Sequence, residues 1–112
     1  GSLTLFANYY SDPRLLFTVP PTAFHPPPKV WSSVIRLDLK QRKGAIPPVF
    51  TMIRALFRHR RKMLRASLAL LYDKRVALHT LDKAQIEGTL RPEQLSFHEF
   101  EALFIALNCK SP

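Results

Sequence analysis

The sequence predicts an α+β chain, with a strand-bearing N-terminal third followed by an all-helical remainder. Three observations carry this. Residues 30–39 alternate with a period of two, a helical period takes over from Val49, and a charged stretch with Gly44 and a Pro pair lies between them. A length of 112 residues suits one ordinary domain, or a small domain with a piece of another, and 46% hydrophobic residues allow a modest core.

Taken in order, "LTLFANYY" at 3–10 is apolar but short, so helix and strand remain open. "SDP" marks a turn. "RLLFTV" at 14–19 reads as a strand, rich in branched and aromatic residues between turn signals. "PPTAFHPPPK" is expected to be an irregular, stiff, polyproline-like loop, because each Pro fixes φ and lacks a donor. "VWSSVIRLDL" at 30–39 is the second strand, and the face bearing Trp31, Ile35, Leu37 and Leu39 is expected to meet the core. "KQRKGAIPP" reads as a linker. Phe50, Ile53 and Phe57, followed by Leu64, Leu68 and Leu71, form a helical stripe. One straight helix would carry Arg60 into that stripe, so a break near His59 and Arg60 is expected, with helices over 47–58 and 60–72. "DKRVALHTL" and "DKAQIEG" read as two short helices with Asp73 and Asp82 as N-caps and Gly88 as a stop. Ser96 and Glu99 form an S-x-x-E capping box for a last helix, whose stripe is Phe97, Phe100, Phe104 and Leu107. Two strands are marginal alone and leave open sheet edges. The N-terminal third is therefore expected to be the tail end of a larger sheet domain, and the isolated pair invites a non-native dimer.

Charge is unevenly placed. The chain has 17 Lys+Arg against 8 Asp+Glu, a net of +9. Through residue 65 there are 12 basic and 2 acidic residues, and after it 5 basic and 6 acidic. Such localised basicity favours a nucleic-acid or anionic-membrane partner. No apolar run approaches the roughly 20 residues of a membrane span, so no membrane-spanning segment is expected; of the two polyanions, nucleic acid is the expected partner and no membrane is. No basic segment followed by an apolar one opens the chain, so no signal peptide is expected. Gly1-Ser2 fits either a remnant of expression or native sequence within a longer chain. The lone Cys109 precludes an internal disulfide and leans towards a reducing compartment.

No complete catalytic set emerges. The four histidines are widely spaced, one Cys gives no zinc-type pattern, and three glycines are too few for a phosphate loop. His79 and His98 read as surface or packing residues. Two features remain. "AFHPPPKVWSSVIRL" is either a stiff connector or a device in which prolines hold Phe24 on a sheet rim, where an aromatic can stack on a base. The segment 54–65 holds Arg54, Arg58, Arg60, Arg61, Lys62 and Arg65 with no acid, whereas a solvated helix face usually mixes both signs. Cations beside the N-terminus of a second helix oppose its dipole, which points to a bound anion, with free N–H groups there as part of a phosphate site.

Three ordered motifs then resemble the C-terminal portion of the rRNA adenine-N6 dimethyltransferases. They are V-P-P with F-x-P-x-P-x-V-x-S-x-V (Val19, Pro20, Pro21, Phe24, Pro26, Pro28, Val30, Ser32, Val34), F-x-x-R-R-K-x-[LI]-R-x-S-L (Phe57, Arg60, Arg61, Lys62, Leu64, Arg65, Ser67, Leu68), and R-P-E-x-L-S with a Phe (Arg91, Pro92, Glu93, Leu95, Ser96, Phe100). The resemblance covers nearly the whole chain. Trp31 departs from it, since bacterial relatives often carry an acid there.

The resemblance implies a layout. Residues 1–40 match the last helix and final antiparallel strand pair of a Rossmann-like methyltransferase domain, 41–48 a linker, and 49–112 a small all-α domain that binds rRNA. S-adenosylmethionine serves the parent enzyme, but its Gly-rich loop, acidic ribose ligand and N-L-P-Y-type motif lie outside this sequence. No cofactor and no methyl transfer are therefore expected of the chain alone. Phe24 matches the residue against the flipped-out adenine, with Pro26 and Pro28 behind it. Arg60, Arg61, Lys62 and Arg65 match the cluster on rRNA phosphates; Arg54 and Arg58 are added because they share a helix face. The implied partner is small-subunit rRNA or the immature small ribosomal subunit. The implied location is cytoplasmic in a bacterium, mitochondrial or nucleolar in a eukaryote. The alternatives are a free-standing RNA-binding or ribosome-assembly module, and an interaction domain whose charge serves solubility.

Overall fold

The computed structural model describes residues 1–109. Contacts divide the chain into a unit of Leu3–Gly44 and a unit beginning at Ala45, with which Gly1 and Ser2 group.

The first unit holds α1 (Ser2–Tyr10) from Leu3 onward, β1 (Ser11–Val19), a 3-10 turn (Pro21–Ala23) and β2 (Ser32–Leu39). The helix wins over the strand at 3–10, and its C-terminal carbonyls are met by cations from the end of β2 and beyond. Lys40 Nζ donates to Asn8 O at 3.2 Å, Arg42 Nε donates to Tyr9 O at 2.6 Å, and Lys40 N donates to Tyr10 O at 2.8 Å. The Arg42 guanidinium also lies 4.0 Å from the centre of the Tyr9 ring. Positive groups at a helix C-terminus satisfy orphan carbonyls and favour the dipole. Ser11 is buried, its hydroxyl donating to Ala7 O at 2.6 Å.

"SDP" is not a turn, because β1 begins at Ser11 and pairs Pro13 with Leu37. In a two-stranded sheet both strands are edges, so the missing N–H of Pro13 need find no partner. The Pro-rich loop, expected to be wholly irregular, contains one 3-10 turn at Pro21–Ala23, and β2 starts at Ser32 rather than Val30. Pairing shifts between Leu15 and Phe17, so Leu15 faces Ile35 whereas Phe17 faces Val34. This bulge sends Leu15 and Phe17 to opposite faces, although their spacing alone would place them together. The expected core face is bare: Trp31 is 63% exposed, Ile35 52%, Leu37 45% and Leu39 79%. A hairpin on its own has no second layer to cover it.

The second unit packs α2 (Val49–Phe57), α3 (Leu64–Leu71), α4 (Lys74–Ala84) and α5 (Phe97–Leu107) around one core, with a 3-10 turn at Pro92–Gln94. Ile53, Leu56, Leu64, Leu68, Phe100 and Leu103 are wholly buried. Burying each such side chain contributes about 1.5–3 kcal/mol. Phe50 packs on Phe97 and Phe57 on Phe100, with ring centres 5.5 and 5.9 Å apart.

Several boundaries differ from expectation. The break between α2 and α3 is longer than one residue, spanning Arg58–Met63, and Leu71 at the end of α3 is exposed. The two short helices after Tyr72 are one, α4. Asp73 caps it by accepting from Val76 N at 2.7 Å, while Asp82 sits inside the helix and not at an N-cap. Nothing between Ala77 and Leu81, which are both buried one turn apart, interrupts the ladder. Gly88 is not the stop either. Gln85 takes the left-handed conformation (φ 56°, ψ 45°), with Gln85 N donating to Asp82 O and Ile86 N to Leu81 O, a Schellman ending. The capping box of α5 is present: Ser96 Oγ accepts from Glu99 N at 3.2 Å and Glu99 Oε1 from Ser96 N at 2.9 Å. Its buried stripe, however, is Phe100, Leu103 and Ala106, with Phe97, Phe104 and Leu107 half-buried on its flanks.

Candidate nucleic-acid interface

α2 ends at Phe57, with Arg58 still helical (φ −63°, ψ −25°), and the turn that follows keeps Arg60 out of the apolar stripe, where a buried charge would be costly. His59 N donates to Leu56 O at 3.1 Å and Lys62 N to His59 O at 2.8 Å, and Met63 is extended (φ −66°, ψ 151°) before α3 restarts. Leu56 and Leu64, buried on either side, fix both ends of the corner, and Phe57 anchors it against Phe100.

Arg54, Arg58, Arg60, Arg61, Lys62 and Arg65 are all exposed. Among the described residues none of their side chains makes an ion pair or hydrogen bond. In the first unit, by contrast, four of the six Lys and Arg residues have partners. There Arg14 and Arg36 meet Asp38, Lys40 meets Asp12, and Arg42 is held on α1. Surface pairs of this kind contribute only about 0–1 kcal/mol, yet they show charge committed internally, whereas the corner leaves its charge available.

The corner is concave. Arg58, His59, Arg60, Arg61 and Lys62 line one shallow recess of about 260 Å³. Phe57, Arg60, Arg61, Arg91 and Glu93 line another of about 270 Å³, together with Gly1. Arg91 thus joins the predicted cluster from a distant part of the sequence. A window of local charge passes over it; its one signal is the R-P-E motif, where it is the only cation.

The expected free N–H groups at the start of α3 are not free. Leu64 N donates to Leu90 O at 2.7 Å, Arg65 N to Gly88 O at 3.0 Å, and Ala66 N and Ser67 N both donate to Met63 O. Side-chain cations, and not the helix terminus, are what the corner offers an anion.

In the first unit, Phe24 follows the 3-10 turn, its N–H donating to Pro21 O at 3.2 Å, and the residue is 44% exposed. Pro26 and Pro28 beyond it are exposed, and the His25–Pro26 peptide is cis. Among the described residues no group of three or more His, Cys, Asp or Glu is placed to hold a metal ion.

A family model described as "Ribosomal RNA adenine dimethylase" matches residues 1–108. The chain belongs to that family. Relatives include the ribosomal RNA small subunit methyltransferase A of Protochlamydia amoebophila, 41% identical over 106 residues, covering 93% of this chain and 37% of the relative. That of Caldanaerobacter subterraneus is 39% identical over 112 residues, covering 96% of this chain and 42% of the relative. The chain thus spans about two fifths of the length of these relatives. Among solved structures, a dimethyladenosine transferase from Plasmodium falciparum aligns with 96% of this chain and 49% of its own, with TM-score 0.68 and 20% identity. The 23S rRNA methyltransferase ErmE aligns with 97% of this chain and 46% of its own, with TM-score 0.59 and 21% identity. Both show a shared fold.

Within this dimethylase-family chain the three motifs have distinct structural duties. The Phe- and Pro-rich motif forms the exposed loop between β1 and β2. The Arg-rich motif forms the corner and the first turns of α3. The R-P-E motif brings Arg91 to the recess and Pro92 into the core.

Proposed function

We propose that this chain is the C-terminal part of a small-subunit rRNA adenine-N6 dimethyltransferase, and that its basic corner binds rRNA phosphates. The observation that carries the reading is the set of exposed cations Arg54, Arg58, Arg60, Arg61, Lys62 and Arg65, without partners among the described residues, on a dimethylase-family chain. On this reading residues 1–40 complete a Rossmann-like catalytic domain, 41–48 link it, and 49–112 form the rRNA-binding domain. The bare apolar face of the hairpin supports the first assignment, since such a face requires a covering layer. Phe24, backed by Pro26 and Pro28, stacks on the target adenine, and the partner is the immature small subunit.

S-adenosylmethionine belongs to the parent enzyme. The residues of this chain do not fit it: the recesses at the corner are lined by guanidinium groups, which repel a sulfonium, and Gly1, Gly44 and Gly88 form no Gly-rich turn. The chain alone binds rRNA without methylating it.

One experiment tests these points together, by measuring binding of the 112-residue chain to small-subunit rRNA across salt with labelled methyl donor present. Four to six phosphate contacts give a slope of log K against log salt of about −3 to −5. Replacing Arg60, Arg61 and Lys62 with Glu abolishes binding without unfolding. Binding that survives the replacement, or label transferred to RNA, refutes the corresponding part.

A further inference from the structure

We propose that Gly88 is a positioning residue for the basic corner, keeping Arg65 and Arg91 in register with Arg60 and Arg61. The consequence for RNA rests on the phosphate reading above; the geometry does not. Two backbone bonds, Arg65 N to Gly88 O at 3.0 Å and Leu64 N to Leu90 O at 2.7 Å, clamp the first turn of α3 to residues 88–90. They join the chain just after Arg60–Lys62 to the chain just before Arg91, and so bring cations from two separate segments to one recess.

Glycine is needed in this clamp because the stem of Arg65 lies directly against it. A Cβ at position 88 would sit 2.9 Å from Arg65 Cβ, 3.6 Å from Arg65 Cδ and 3.0 Å from Leu81 Cδ1. Arg65 Cβ is fixed to the α3 backbone and Leu81 is buried, so neither yields cheaply. Any side chain at 88 therefore pushes residues 87–90 away from α3, stretches both bonds, tilts Arg65 and carries Arg91 out of the recess. Gly88 has no other evident duty, since α4 already ends at Gln85.

The test compares the wild-type 112-residue chain with Gly88→Ala by amide exchange and by binding of small-subunit rRNA across salt. First-turn amides of a helix ordinarily lack partners, so the clamp predicts slow exchange at Leu64 and Arg65 in the wild type. Fast exchange at both overturns the clamp, whatever the RNA does. In Gly88→Ala these two amides lose protection while those of Leu103 and Ala106 in α5 keep theirs. The salt slope becomes shallower by about one to two, and affinity at 0.1 M salt falls about tenfold or more. Lost protection with unchanged slope and affinity overturns the positioning role. Should Gly88→Ala fail to fold, Arg91→Gln at an exposed position takes its place: a slope shallower by about one supports the seat of Arg91 in the recess, and an unchanged slope overturns the positioning role. A wild-type chain that binds no small-subunit rRNA refutes the phosphate reading itself, while the two amides still decide the clamp.

Discussion

Ser67 and Thr80 carry hydroxyl groups that are fully buried and have no hydrogen-bond partner among the described residues. A buried hydroxyl without a partner costs about 1–3 kcal/mol, which an alanine of nearly the same shape avoids. Ser67→Ala is therefore expected to leave stability unchanged or raise it by about 1 kcal/mol, measured by urea denaturation. A loss larger than 1 kcal/mol would mean that the hydroxyl is satisfied. Ser67 lies in the Arg-rich motif, two residues after Arg65, but its side chain points into the core and takes no part in the cationic surface. Neighbours in a motif thus serve separate ends: Arg60, Arg61, Lys62 and Arg65 are presented outward, while Leu64 and Leu68 hold them in place.

At the level of elements, the capping box at Ser96 could be read from sequence because donor, acceptor and spacing all lie within one turn. The break at Arg60 was legible for a similar reason: a charge falling in an apolar stripe is a local contradiction. The end of α4 was not legible. A left-handed terminator is usually Gly, and the nearest is Gly88, yet Gln85 occupies the position. Holding a non-Gly residue left-handed costs about 1 kcal/mol. Gln85→Gly should therefore raise stability by about 0.5–1 kcal/mol in the same denaturation measurement, and a fall would argue that the Gln85 side chain matters. The partners of the α3 amides were equally hidden, because carbonyls from 88–90 reach them only through tertiary packing. Arg91 reaches the recess through the same packing, which no local pattern displays. In the hairpin, branched and aromatic residues between turn signals located β1 and alternation located β2, but the shift between Leu15 and Phe17 is invisible in either pattern.

At the scale of the molecule, the two units differ in self-sufficiency. The helical unit surrounds a closed core. The hairpin carries Leu15, Ile35, Leu37 and Leu39 on one face, all exposed, and on the other face a charged end at Arg14, Arg36 and Asp38 beside an apolar end at Phe17 and Val34. Open edges and bare apolar faces favour association with another copy. The 112-residue chain is expected to self-associate with rising concentration in analytical ultracentrifugation, and a chain starting at Ala45 to remain monomeric. Equal behaviour of the two would remove the hairpin as the cause.

The already-partnered amides of α3 have a consequence in time. A phosphate seated in a ring of backbone N–H groups is held in one geometry and leaves slowly. One met only by exposed guanidinium and ammonium groups arrives quickly, drawn by long-range attraction, and has several equivalent ways to depart. On the proposed reading the corner therefore governs how fast the RNA is found more than how long it is kept. Salt would slow its arrival more than it shortens its stay, an arrangement suited to an encounter that must be undone once the work is finished.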